Sequence, residues 1–166
     1  METREAIKTR RSVRVYRKKP VEREKILTIL EAGRWAPSGL NNQPWKFKIL
    51  QDNDEKNQVA DQTCYDDIIR NAPVSIAVFL DSKESYHRIK DVQAIGACIQ
   101  NMLLEAYSQG LGACWICGVL KNKDKINKIL KVSKNFEMKT FIALGYSAEK
   151  PKVPRKKLKS LIIKEI

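Results

Sequence analysis

Apolar and polar positions divide the chain into stretches of alternating period. TREAIKTR (3–10) reads as a short helix opened by Thr3, and RRSVRVY (10–16) turns extended, with Val13 and Val15 alternating against Arg10, Ser12 and Arg14. After Pro20, residues 21–36 predict a second helix, with Ile26, Leu27, Leu30 and Trp35 at a 3.6-residue period. Pro37, Gly39 and Pro44 end it and open a loop. Alternation in KFKILQ (46–51) predicts a strand, a polar helical region follows over 54–70, and the unbroken apolar run VSIAVFL (74–80) predicts a strand buried on both faces. Residues 88–109 predict a long helix. Its stripe of Val92, Ile95, Ile99, Met102, Leu103 and Ala106 is too broad for one surface, so burial on more than one side is expected, including against a second subunit. Gly110 and Gly112 close that helix, Gly110 as a left-handed cap. Residues 113–120 read as a loop entering a strand, 123–131 as a short amphipathic helix and 139–147 as another central strand, before a proline-broken basic tail. The interleaving predicts one α+β domain over 1–166, with helices flanking a central, mostly antiparallel or mixed sheet.

Composition narrows the class. With 43% hydrophobic and 31% charged residues the chain reads as globular, and no apolar run approaches the roughly 20 residues needed to span a bilayer. The opening METREAIKTRR lacks the apolar core of a signal peptide, so a cytoplasmic protein with no membrane partner is expected. The net charge of +13 calls for a polyanion, an anionic small molecule or a solvated surface. Much of the lysine occupies amphipathic positions in 121–131 and 150–159, which favours the solvated face, and no nucleic-acid partner is expected. Of Cys64, Cys98, Cys114 and Cys117, the apolar surroundings of Cys98 and Cys114 predict small buried hydrophobes in a reducing compartment. CWIC (114–117) has C-x-x-C spacing, but there is no second such pair and His87 is the single histidine, so no metal site is expected.

Two stretches carry recognisable chemistry. In extended RRSVR, Arg10, Ser12 and Arg14 share a face, and two guanidinium forks flanking a hydroxyl suit a phosphate or another anion; a solvated polar edge is the competing reading. In RWAPSGLNNQPW (34–45), the amides Asn41, Asn42 and Gln43 each offer a donor and an acceptor without charge, which suits the imide edge of a flat heterocycle. Pro37, Ser38 and Gly39 let backbone approach a ring face, and both Trp35 and Trp45 are expected to act as scaffold; the competing reading is a helix-ending turn whose amides cap its own backbone.

These stretches, followed by NAPVSIAVF (71–79), DVQAIGACIQNMLLEAYSQGLGACWICG (91–118) and ALGYSAEKPKVPRKKL (143–158), resemble the nitroreductase family of flavoproteins over essentially the whole chain. The resemblance implies a homodimer with one FMN per active site at the subunit interface and the long helix near the two-fold axis. It implies that Arg10, Arg11, Ser12 and Arg14, with Arg155 and Lys157 from the tail, meet the FMN phosphate and ribityl chain, Arg14 being alternatively placed at the pyrimidine edge. Pro37, Ser38, Gly39, Leu40 and Asn42 would lie against the ring of the partner subunit, and Trp115, Ile116, Cys117 and Gly118 would line the ring near N5. The activity implied is hydride transfer from NADH or NADPH through the flavin to a small oxidant such as a nitroaromatic or quinone, by a two-step ping-pong scheme that needs no catalytic side chain. Specialised relatives, such as dehalogenases or enzymes that consume the flavin, are the alternative within flavin chemistry. A basic nucleic-acid-binding protein and a thiol redox protein built on Cys114 and Cys117 are the alternatives outside it. This chain departs from the family pattern at Cys117, where many members have glycine, and in QTCYDDIIRN (62–71), which lacks the lysine and asparagine other members place near the pyrimidine.

Overall fold

The structure, a computed structural model, describes residues 2–164, and its sheet is organised around the unbroken apolar run. That run forms β2 (Val74–Asp81), buried at all eight positions. β1 (Trp45–Leu50) pairs antiparallel with one side of β2, and β4 (Phe136–Gly145) pairs antiparallel with the other. β3 (Gly112–Ile116) joins the far side of β4, giving the order β1-β2-β4-β3. All four strands are antiparallel neighbours, and the parallel component is a single bridge from Ser12 to Ala113 at the β3 edge.

Because successive side chains point to opposite faces, β2 and β4 feed two apolar layers. Ile76, Val78, Leu80, Ile142 and Leu144 meet α5 (Arg88–Ser108) and α2 (Arg23–Arg34) on one face. Ala77, Phe79, Met138, Phe141 and Ala143 face the other layer, which includes residues of α3 (Asn53–Ala60), α4 (Asp66–Asn71) and α6 (Lys123–Ile129). Each fully buried large side chain contributes roughly 1.5–3 kcal/mol, which makes β2 the natural centre of the fold. α5 buries Ile95, Cys98, Ile99, Met102, Leu103 and Ala106, and α2 reaches it at Gly33, where a Cβ would lie 2.7 Å from the Met102 side chain. Gly110 ends α5 with φ +75°, the left-handed cap expected. The chain opens with α1 (Thr3–Thr9). Among the described residues no helix is long and apolar enough to cross a membrane.

Several boundaries differ from the sequence pattern. The polar region 54–70 splits into α3 and α4, because Gln62 and Thr63 turn their N–H groups back to the carbonyls of Val59 and Ala60; no proline or glycine marks the break. Residues 113–120 run strand first and then turn, with a short 3-10 helix at Gly118–Asn122, because β3 pairs with the end of β4 from Gly112 onward. Trp35 is not scaffold: it is 72% exposed, its indole N–H donating to Glu31 at 2.8 Å, and Leu27 on the same helix is also exposed. Trp45 is buried as expected.

Candidate functional site

The Arg10–Arg14 segment is held along the open edge of β3. Val13 N donates to Ala113 O at 3.0 Å, and the Val13 side chain fills the space beside Gly112 that a Cβ would need. Buried Tyr16 donates its hydroxyl to Val13 O at 2.6 Å, which ties the segment down. Beyond the Ser12–Ala113 bridge no strand among the described residues pairs with the outer side of β3, although the next carbonyls are taken: Ile116 O accepts from Thr140 Oγ1 at 2.7 Å and Cys117 O from Leu120 N at 3.0 Å.

Arg10 and Arg14 pair with no carboxylate among the described residues, and the Ser12 hydroxyl has no hydrogen-bond partner there. Burial, followed by neighbouring Arg155 and Arg11, pulls the Arg10 guanidinium below its ordinary value. Arg10, Arg11 and Arg155 therefore converge, and the nearby carboxylate of Glu149 accepts from the backbone N–H groups of Arg14 and Val15 rather than from a guanidinium, an arrangement that can hold an anion. Arg11 is already committed: its Nε donates to Val153 O at 3.0 Å and its Nη1 to Lys8 O and Arg10 O at 2.8 Å, pinning the tail to the segment. Lys157 is exposed and its carbonyl closes only its own turn, accepting from Ser160.

Cys114 and Ile116 belong to the apolar layer shared with Val13 and Phe141, while Trp115, 40% exposed, lies on the α5 side near Gly96. Burial raises the Cys114 thiol, and the cysteines are free, so Cys114 is a packing residue. Cys117 is exposed, with its sulfur 4.0 Å from Thr140 Oγ1. Gly118 is covered by Tyr65, whose ring would be 2.4 Å from an added Cβ. Tyr65 was not singled out by the sequence; its only signal is an aromatic residue in an otherwise polar stretch.

The Pro37–Asn42 loop sits at the opposite edge. It leads into β1, three strand spacings or about 14 Å from β3, and none of its residues lines the cavity beside Trp115. Leu40, Asn41 and Gln43 have φ of 54°, 54° and 46°, conformations that side chains rarely adopt and that cost of order 1 kcal/mol each. Leu40 is nonetheless 83% exposed, so the loop presents it outward. Ser38 Oγ accepts from Gln43 N at 3.0 Å and keeps its own hydrogen to donate. Gly39 is packed under the Tyr86 ring. Asn42 is turned inward: its Nδ2 donates to Asp91 Oδ1 at 2.9 Å and to Glu84 O at 2.8 Å. The loop is thus locked to the start of α5 through a buried carboxylate, which also accepts from Ser85 Oγ and His87 N. Burial raises the Asp91 carboxyl, but these hydrogen bonds outweigh it and hold the group below its ordinary value.

A four-stranded antiparallel sheet covered by helices on both faces places the chain among the α+β proteins. The chain belongs to the nitroreductase family: the model described as "Nitroreductase family" matches residues 7–64 and 54–146. It is 36% identical over 156 residues to a Methanothermobacter thermautotrophicus protein assigned as NADH dehydrogenase/NAD(P)H nitroreductase, covering 91% of this chain and 80% of that one. A crystal structure from Desulfovibrio desulfuricans, assigned as a nitroreductase and solved in complex with FMN, superposes with a TM-score of 0.97 at 38% identity, covering 100% of this chain and 98% of the other. A more distant relative, 24% identical over 174 residues and covering 89% of this chain and 90% of its own, is the iodotyrosine deiodinase of Thermotoga neapolitana.

Proposed function

We propose that this chain is an FMN-dependent NAD(P)H oxidoreductase, working as a homodimer and reducing a small oxidant such as a nitroaromatic or quinone. The observation that carries the reading is the unpaired Arg10, Ser12 and Arg14 beside the open edge of β3, with Arg155 close to Arg10. A phosphate there would receive charge-assisted hydrogen bonds from Arg10 and Ser12 and relieve the repulsion among the arginines. The residues present therefore fit FMN, the group bound by the Desulfovibrio desulfuricans protein. When bound, FMN supplies the hydride chemistry, in a ping-pong exchange between a reduced nicotinamide and the oxidant. Arg14 then acts as the orienting cation, and the backbone of Trp115, on the unpaired side of β3, faces the slot. Tyr65 packs over Gly118 and forms that side of the slot.

The homodimer reading is supported by the separation of the loop from β3 and by what the chain leaves exposed. Leu27, Trp35, Leu40, Ile89, Leu158 and Leu161 are all exposed large apolar side chains that a second copy could cover. A second copy would supply Pro37, Ser38, Gly39 and Leu40 to the ring slot, while Asn42 holds the loop in shape.

The absorption spectrum of the pure protein and identification of its heat-released flavin test the reading. A yellow protein releasing FMN and oxidising NADH or NADPH is expected; a colourless protein that FMN cannot reconstitute refutes it. Replacing Arg10 and Arg14 together by alanine is expected to weaken FMN retention about 10- to 100-fold, the loss of one or more charge-assisted hydrogen bonds. Because the strongest charged neighbours of Arg10 are Arg155 and Arg11 and no carboxylate among the described residues pairs with its guanidinium, the same change should leave the stability of the flavin-free protein little altered.

A further inference from the structure

A second basic constellation lies beside the ring slot, away from Arg10. The start of α5, the ends of β3 and β4 and the Gly118–Asn122 turn enclose a cavity of about 450 Å³, in the size range of small-ligand pockets. Its lining includes Arg88, Lys123 and Lys139, the single carboxylate Glu137, and the exposed indole of Trp115. All three cations compete for one oxygen: Glu137 Oε1 lies 2.7 Å from Arg88 Nη2, 2.8 Å from Lys139 Nζ and 3.9 Å from Lys123 Nζ. One carboxylate cannot neutralise three cations, so two positive charges remain uncompensated. The Lys139 side chain is only 10% exposed, and in that low-dielectric setting the imbalance is felt strongly. Burial pulls Lys139 below its usual value, while Glu137 opposes the fall.

We propose that this cavity is a subsite for an anionic group, phosphate or carboxylate, carried by the molecule that reacts in the ring slot. An anion entering it meets Arg88, Lys123 and Lys139 together, and Trp115 offers an aromatic face on which the remainder of a flat substrate can stack. The inference rests on the flavin reading above, because Trp115 and Cys117 line both the cavity and the proposed ring edge. Two sources share this chemistry: the phosphates of a nicotinamide dinucleotide and the carboxylate of an acidic oxidant.

The test uses the FMN-loaded protein and an R88Q/K123Q variant, which keeps the Lys139–Glu137 pair. Arg88 and Lys123 side chains are 65% and 43% exposed, so folding is not endangered. Two selectivity ratios in kcat/KM are read: 4-nitrobenzoate over nitrobenzene with the hydride donor fixed, and NADH over N-benzyl-1,4-dihydronicotinamide with the acceptor fixed. A fall of about tenfold in one ratio is expected, the scale of two partly exposed ion contacts. Loss on the first identifies an acidic oxidant, and loss on the second identifies the dinucleotide phosphates. Both ratios staying within about twofold of the unmodified protein, a change smaller than one such contact, overturns the proposal. Absence of FMN from the unmodified protein would instead refute the function proposed above. The subsite is then read by tryptophan fluorescence: tighter quenching by 4-nitrobenzoate than by nitrobenzene, lost in the variant, supports it, and equal quenching refutes it. The single variant K123Q repeats each measurement should the double variant fold poorly.

Discussion

Asn42→Ala isolates the contact that holds the Pro37–Asn42 loop to α5. The side chain donates to Asp91 Oδ1 at 2.9 Å and to Glu84 O at 2.8 Å, and Asp91 is 0% exposed. Removing a hydrogen bond to a buried charged group costs about 1.5–3 kcal/mol. The loss is not compensated by water, because Asp91 is sealed, and the strained Leu40, Asn41 and Gln43 lose their restraint as well. A destabilisation of about 2 kcal/mol corresponds to a melting shift of roughly 4–8 °C for a chain of this size, measured at fixed protein concentration. The pH dependence supplies an independent check. Asp91 titrates below its ordinary value in the folded protein, so its hydrogen bonds stabilise fully above the unfolded value and that contribution fades as pH falls through the folded one. The penalty of Asn42→Ala should therefore be full at neutral pH and shrink in acid. Asn42→Asp, which sets a second carboxylate against Asp91, should cost more than alanine at neutral pH. A penalty below about 0.5 kcal/mol, or one independent of pH, would refute the view that Asp91 locks the loop.

Two further perturbations address the segments around β3. Gly112→Ala would place a Cβ 2.7 Å from Val13 Cβ and 2.8 Å from both its methyls, in a buried site whose backbone is bonded to Ala113. A cost of about 1–3 kcal/mol in denaturant unfolding is expected, with lower FMN occupancy as the Arg10–Arg14 segment is pushed outward; unchanged stability would contradict the close packing. Glu137 is held at about 2 by the hydrogen bond from Arg88, against the effect of burial and with Lys139 helping. Its contribution is present above its ordinary 4.5 and lost as pH falls through about 2. Glu137→Gln should therefore cost about 1–2 kcal/mol near neutrality and match the parent near the acid limit; an equal penalty at both ends would be inconsistent with the ion cluster.

The elements legible in the sequence are those where one periodicity dominates. Residues 74–80 have no polar member apart from Ser75, and a run this short and rich in β-branched and aromatic residues favours a strand buried on both faces over a helix; β2 is that strand. The stripe on 88–109 and the glycine after it likewise led directly to α5 and its left-handed cap. The turn between α3 and α4 is not legible in the sequence because polar residues carry it without proline or glycine. Trp35 departs from the pattern for a different reason: its size argues for burial, but α2 buries Ile26, Ile29 and Gly33, and Trp35 falls off that face.

The candidate site divides the same way. Local spacing put Arg10, Ser12 and Arg14 together, and the motifs they belong to identified the family, because both depend on residues adjacent in the chain. Asn42 looked like a ligand contact, yet its carboxamide is spent on Asp91, 49 positions away, a partner no local pattern contains. The convergence of Arg88, Lys123 and Lys139 on Glu137 was equally hidden among 32 basic residues. Thus the sequence by itself determined the strongly periodic strands and helices, the spacing of Arg10, Ser12 and Arg14 and the family, since these follow from short-range periodicity and motif. Only the tertiary structure decided which side chains are exposed, which polar groups are already satisfied, and that the loop and β3 lie on opposite edges of the sheet, because those depend on contacts between residues distant in the chain.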